Sequence, residues 1–316
     1  MPQTRLPQNG PPEDRRASLD RQNVGVLVLQ LLGWGVMIEA LHRDILFGWK
    51  AAIVVLFCLM MQGVFSMMHE CCHRNGHRQR RLNWAMGALA STLFGSSYTL
   101  IRVNHEGHHQ RNRSHAELAE FIMPGERPAF KIGLYYFAIL GGIWIGSFVA
   151  TLLLPFVPYQ HAKSLALRMT TMDGYSRSFA EFDADDWALL RLEAVLAVAW
   201  WSGCIWLFGW SWQVLLVVYA CYAFSYSSLQ WVYHMRTPLD RIEGAYDLRL
   251  PTPVRWLFLN FNYNLSHHRH PRAPWQDLHA RVDRRETQPL WYRYLSVFRP
   301  PEPYPDDPSR LAKQYF

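Results

Sequence analysis

The sequence predicts an all-α integral membrane protein with about four transmembrane helices, two further hydrophobic segments that are re-entrant or interfacial, and a helical cap on the cytoplasmic side. Three observations lead there. Half of the 316 residues are hydrophobic and only 18% are charged, which excludes a disordered chain. The apolar residues are gathered into charge-free windows at 22–38, 51–68, 82–101, 132–162 and 194–235, while a mean hydropathy of -0.10 requires the remainder to be strongly polar. Finally, the clustered histidines stand at the ends of these windows, and that limits how many of them can cross.

A helix needs roughly 20 apolar residues to cross about 30 Å of hydrocarbon. Spans are expected near 23–42, 50–68, 190–208 and 212–230, the last two forming a tight hairpin at Gly209-Trp210-Ser211. Trp206, Trp210 and Trp212 group around that turn as an interfacial aromatic belt does. The window at 82–101 joins one histidine-rich segment to another. If it crossed, those segments would lie on opposite faces and could not share a site, so it is expected to enter and return. The window at 132–162 must also return to the side it left, with Gly141-Gly142, Pro155 and Pro158 as places for a break. Residues 163–189 read as a cytoplasmic amphipathic connector.

Arginines set the expected orientation. Arg5, Arg15, Arg16 and Arg21, then Arg74, Arg78, Arg80 and Arg81, then Arg236, Arg241 and Arg249 place both termini and the histidine clusters in the cytoplasm, most simply that of a bacterium with the chain in its inner membrane. The net charge of +7 suits an anionic surface, and the segmentation makes that surface lipid rather than nucleic acid. Residues 1–22 read as a flexible polar tail, 23–285 as the membrane domain and 286–316 as a Pro-rich polar tail. Five cysteines without a CxxC pair give neither a disulfide framework nor a zinc ribbon.

Nine of the fourteen histidines fall into four places: His69 and His73 in MHECCH, His105, His108 and His109 in NHEGHH, His234 in QWVYH, and His267, His268 and His270 in NLSHHRH. The i, i+4 spacing of His69 and His73 puts two imidazoles on one helical face, and His77 continues that face. In HxxHH the neighbouring His108 and His109 can point at two metals, which suits a dinuclear site. Imidazole serves Zn, Cu, Fe and Ni alike, so the ligands alone do not name the metal. His42, His115, His161 and His279 have no cluster partner and read as ordinary surface or interfacial histidines.

HxxxH, then HxxHH, then a box ending in HH, separated by membrane segments, resembles the membrane-bound fatty acid desaturase and hydroxylase superfamily. The resemblance covers roughly residues 23–285 and is nonspecific for substrate. It implies two irons that activate O2, held by His69, His73, His105, His108, His109, His234, His267 and His268. The third box departs from the usual pattern, since Asn264 stands where His or Gln is usual; Asn264, Gln230 and His77 are possible direct or water-mediated ligands. Glu70 and Glu106, each following the first histidine of a box, and Asp247 are candidates to orient ligand rings, with Asp240 and Glu243 comparable.

The implied reaction is desaturation of an acyl chain carried on a lipid, CoA or acyl carrier protein. Hydroxylation or ketolation of acyl, alkane or carotenoid substrates is the alternative. Trp84, Phe94, Tyr98, Phe224, Tyr226, Trp231 and Tyr233 are candidates to line a tunnel for it. Electrons come from a separate donor: ferredoxin, rubredoxin, or a cytochrome or flavoprotein reductase. A histidine-lined metal transporter is the rival from another class, disfavoured because the clusters sit at span ends on one side. A b-type haem protein would need histidine pairs facing each other inside the bilayer.

Overall fold

The computed structural model describes residues 13–114, 117–168 and 181–306. His115, residues 169–180 of the connector and the outermost parts of both tails lie outside the described residues.

Four long helices form the frame: α1 (Glu13–Leu41), α2 (Phe47–Cys72), α8 (Ala184–Phe208) and α9 (Trp212–Val232). At 1.5 Å per residue each is longer than about 30 Å, enough to cross hydrocarbon. Their outward faces carry exposed Leu29, Val36, Val55, Val195, Leu207 and Leu216, a surface that lipid solvates and water does not. Gly209, in the left-handed region at φ 64, ends α8 and makes the hairpin turn into α9. Trp206 and Trp212 are exposed there, but Trp210 is not part of a belt. It is buried, stacks on His42 and donates from Nε1 to Glu39 (2.9 Å), which ties the hairpin to the end of α1.

The helix α1 begins ten residues before the expected lipid boundary at 23. Its first turns are polar and docked: Asp20 accepts from the Arg78 amide (3.0 Å), and Asn23 donates to the carbonyls of Asn75 and Gly76 (2.9 and 3.1 Å). A hydropathy window sees only the apolar part of such a helix.

The window at 82–101 is a re-entrant hairpin of α3 (Arg80–Phe94) and α4 (Tyr98–Arg111), turning at Gly95 with φ 91. A helix that stops inside hydrocarbon leaves its last carbonyls without partners, which costs several kcal/mol each unless donors are supplied. Three aromatic side chains supply them: Trp201 Nε1 donates to the Thr92 carbonyl (3.0 Å), the Tyr219 hydroxyl to Leu93 (2.6 Å) and Trp144 Nε1 to Phe94 (2.8 Å).

Residues 128–156 are long and apolar enough to cross, yet the segment is broken in the middle. α5 (Pro128–Phe137) runs into a π-helical turn, Ala138–Gly142, and then α6 (Ile143–Leu153). Gly141 sits at φ 136, against Ala223 in the middle of α9, a backbone state that other residues rarely adopt. Each arm is only about 15 Å long. One end meets the terminus of α9, where the Tyr135 hydroxyl donates to the Val297 carbonyl beside Met235. The other end, just before α7 (Tyr159–Arg168), meets the start of α8, where Arg191 and Trp187 donate to the carbonyls of Pro155 and Val157 (2.9 and 3.1 Å). Both ends therefore reach the side on which the histidines lie.

The boundary drawn at 285/286 is not a structural one. Strand β3 (Gln288–Pro289) pairs with β2 (Leu248–Arg249), and β4 (Glu302–Pro303) pairs with β1 (Phe121–Ile122). Between β3 and β4 a short helix, Leu290–Val297, lies on α9, with Val297 fully buried and the Tyr294 and Ser228 hydroxyls 3.0 Å apart. The prolines end elements here; they do not unravel them.

Candidate metal centre

Each histidine box is delivered by a different piece of backbone. The last turn of α2 presents His69 and the residue after that helix is His73; α4 presents His105, His108 and His109. A six-residue helix, Asn264–Arg269, presents His267 and His268, and His234 follows the end of α9. The re-entry of α3 and α4 lets the first two boxes meet.

All eight of these histidines converge in two groups. His69, His73, His105, His109 and His267 form one, His108, His234 and His268 the other, and within each group the ring nitrogens lie within 4.8 Å of one another. The sequence neighbours 108 and 109, and likewise 267 and 268, send one ring to each group. In the larger group the Nε2 atoms of His73 and His105 are 2.7 Å apart, those of His109 and His105 3.0 Å, and those of His267 and His109 3.0 Å.

This donor set fits metal ions. Imidazole nitrogens gathered around one point repel when protonated and are satisfied together by a cation. The buried ring nitrogens His69 Nε2 and His268 Nε2 have no hydrogen-bond partner, as expected of atoms kept for a metal. Burial holds the rings in the neutral, ligating form: His73 is pushed down to about 4 and His109 to about 2, while His105, His234, His267 and His268 all lie well below the ordinary imidazole value. An unfolded histidine takes its proton near pH 6.5, and the folded rings take theirs only at lower pH. Stability of the metal-free protein is therefore expected to be intact above pH 6.5 and to fall as pH drops from there towards 4. Thermal melting in detergent at pH 7.5 and pH 5 checks this; equal melting temperatures would count against it.

The partners of the outer nitrogens are mostly not those expected. His108 Nδ1 lies 2.7 Å from Glu117, and Arg111 holds the other Glu117 oxygen (3.3 Å); His234 Nδ1 donates to the Gly244 carbonyl (2.9 Å). Glu117 was not legible in the sequence, because it belongs to no box and reaches His108 by a turn of the chain beyond α4. Glu117→Gln is expected to weaken metal binding ~10–100-fold in the three-histidine group, the usual range for losing such a partner. Titration with Co(II), followed by its absorption, measures it, and an unchanged curve would remove Glu117 from the site.

Glu106 does not face a ring: it pairs with Arg102 (3.0 Å), one turn back on the exposed side of α4. His77 lies outside both groups and accepts from the Gln79 amide (3.0 Å), because the chain leaves the helix after Cys72 and the i, i+4 face ends. Glu70 is buried and accepts from the Trp275 amide (3.1 Å), with its other oxygen 3.9 Å from His69 Nδ1. Asp247 acts on backbone instead of a ring, accepting from the Ser266 amide (3.0 Å) and hydroxyl (2.6 Å), and so fixes the helix that bears His267 and His268. Asn264 Oδ1 and Gln230 Nε2 are buried without hydrogen-bond partners.

Aromatic rings floor the larger group on its membrane side. Phe261 stands edge-on to His69 at 4.9 Å and contacts Tyr233 and Phe65, which in turn packs on Phe94 and Tyr226. Of the expected tunnel residues, Phe224 is turned out of this cluster, 40% exposed and packed on Phe298. Tyr98 donates to the Cys71 carbonyl and Trp84 to Glu193, so both serve packing.

Residues 47–300 match the family described as "Fatty acid desaturase". The chain is also 22% identical over 263 residues to a protein of Bacillus subtilis (strain 168) named "Fatty acid desaturase", covering 74% of this chain and 67% of that one. With the family match spanning most of the sequence and both histidine groups inside it, the chain belongs to the fatty acid desaturase family.

Proposed function

We propose that this protein is an O2-dependent di-iron fatty acyl desaturase. The observation that carries the reading is the pair of all-imidazole groups resting on a buried aromatic floor. His69, His73, His105, His109 and His267 would hold one iron and His108, His234 and His268 a second, and the bound pair would supply O2 activation and hydrogen removal from an unactivated methylene. The protein's share is position and exclusion of water: Phe65, Phe94, Tyr226, Phe261 and Tyr233 offer an apolar wall against which an alkyl chain lies next to the histidines. Overall, a –CH2–CH2– unit, O2, two electrons and two protons give –CH=CH– and two waters.

The electrons come from a separate carrier, and exposed Arg74, Arg78, Arg80 and Arg81 beside the first box form a basic face for an acidic one. The substrate is an acyl chain on a lipid or thioester carrier. A pocket of about 290 Å³ lined by Arg249, Tyr263, His279, Val282, Arg284 and Thr287, of which Tyr263 directly precedes the third box, suits the anionic part of such a carrier. The arginine-rich, histidine-bearing side faces the cytoplasm of a bacterial inner membrane.

Gas chromatography with mass spectrometry of total acyl chains, from a host expressing this chain beside His268→Ala, tests the reading. A new unsaturated species absent from the variant is expected. A hydroxylated or oxo product would make the chain a hydroxylase or ketolase, and no product with a competent donor present would overturn the assignment.

A further inference from the structure

Glu193 is an acidic residue about 14 Å along α8 from Ala184, with a side chain that is 3% exposed. A buried carboxylate in a membrane segment is costly unless every lone pair is used, and such residues mark function. Here all are used, and none by a cation. Oε1 accepts from Trp84 Nε1 (2.8 Å) and the Thr99 hydroxyl (2.9 Å); Oε2 accepts from the Ser97 hydroxyl (2.6 Å) and the Thr99 amide (2.8 Å). Four bonds, two to each oxygen, are about the full complement of a carboxylate.

The donors come from both arms of the re-entrant hairpin. Trp84 belongs to α3, and Ser97 and Thr99 open α4, the helix that carries His105, His108 and His109. Glu193 thus closes one orphan amide at the start of α4, that of Thr99, and opposes the positive end of its dipole. Further along the antiparallel pair, Asp186 of α8 pairs with Arg102 of α4. A helix held at its first turn and again at Arg102 can neither slide nor rotate. His105 lies only about 9 Å beyond Thr99.

We infer that Glu193 is a positioning residue for the metal centre: from within the membrane it fixes the depth and rotation of α4, and so the placement of the second histidine box in both metal groups. The inference rests on the di-iron reading for its consequence, but the clamp itself is a property of the chain.

Glu193→Gln keeps the shape yet turns an amide N–H2 towards donors, leaving two of the four unmatched; Glu193→Asp keeps the charge and shortens the reach. Ser97→Ala and Thr99→Val each remove one hydroxyl and leave the carboxylate in place, so they report even if Glu193→Gln does not fold. Two readouts are needed. Hydrogen exchange of the metal-free protein is expected to show at least ~10-fold faster exchange in 98–104 for each variant, with α1 and α2 unchanged. Titration with Co(II) is expected to show affinity lowered ~10–100-fold in Glu193→Gln, less in Ser97→Ala and Thr99→Val, and partial recovery in Glu193→Asp.

Uniformly faster exchange along the chain with an unaltered Co(II) spectrum would make Glu193 a general stabiliser and overturn the inference. Unchanged exchange and affinity in all four variants would overturn it equally. If the wild-type chain bound no metal, the di-iron reading would fail, while the exchange data alone would still decide whether Glu193 clamps α4.

Discussion

If the protein is the di-iron desaturase proposed above, replacing His109 with alanine is expected to abolish desaturation and to leave the purified protein with much less iron than the unaltered chain binds. Among the rings of the larger group, His109 sits closest to the joint with the smaller one. Its Nε2 is 3.0 Å from those of His105 and His267 and 3.2 Å from that of His73, and its ring centre is 4.6 Å from that of His268. Alanine removes a donor of one group and the ring that packs against the other. Loss even of an outer partner of a ligand costs ~10–100-fold, so loss of this ring should exceed ~100-fold in activity. Iron per chain by elemental analysis, together with acyl-chain product, measures it. His42→Ala serves as control, because His42 lies at the opposite end of the helices, accepting from the Ser211 amide (2.8 Å). Equal loss of iron in both variants would mean that the fold, not the ligand, had failed.

The largest effect on stability is expected at Arg113. Directly after α4 it forms an ion pair with Glu120 at 2.7 Å, with side-chain exposures of 2% and 1%. Arg113 also donates to the Thr237 carbonyl (3.3 Å), and Glu120 accepts from the Arg236 amide (2.9 Å). The pair joins the end of the second box to the segment that follows His234. Removing one partner of a buried pair leaves the other charge without compensation, at about 3–5 kcal/mol. Arg113→Met should therefore lower the melting temperature strongly, and Arg113→Met with Glu120→Gln should recover part of the loss, since glutamine is neutral and still accepts from Arg236. A double variant no more stable than the single one would show that the loss comes from the contact to Thr237 and not from the stranded charge.

The sequence was legible where chemistry repeats at helical spacing. His69 and His73, or His105 and His109, declare themselves by i, i+4, and the need for the boxes to meet was enough to fold the window at 82–101 back on itself. What remained hidden depends on contacts between residues far apart in the chain. Glu117 orients His108 but belongs to no motif. Glu193 reads as one more charge near a span end until α3 and α4 are laid against it. Phe261 floors the larger group from a stretch that otherwise reads as a loop. Trp210 resembles an interfacial residue by composition and is buried because Glu39 offers it an acceptor. The early start of α1 and the packing of 286–304 were missed for a shared reason: docking by polar side chains and single buried residues such as Val297 leaves no hydropathy signal.

The capped tip of the α3–α4 hairpin bears on how the chain is made. Its carbonyls are satisfied by Trp144, Trp201 and Tyr219, and its start of α4 by Glu193, all of which lie downstream in the sequence. A ribosome delivers residues 80–111 well before any of them. Until Tyr219 has emerged and α8 and α9 have inserted, the hairpin has no partners for its polar tip and gains nothing by entering hydrocarbon. Helices α1 and α2 can insert as they appear, but the second histidine box waits at the membrane surface. On the proposed metal-binding reading, loading is expected to be a late event of biogenesis, following translation of the chain through His268.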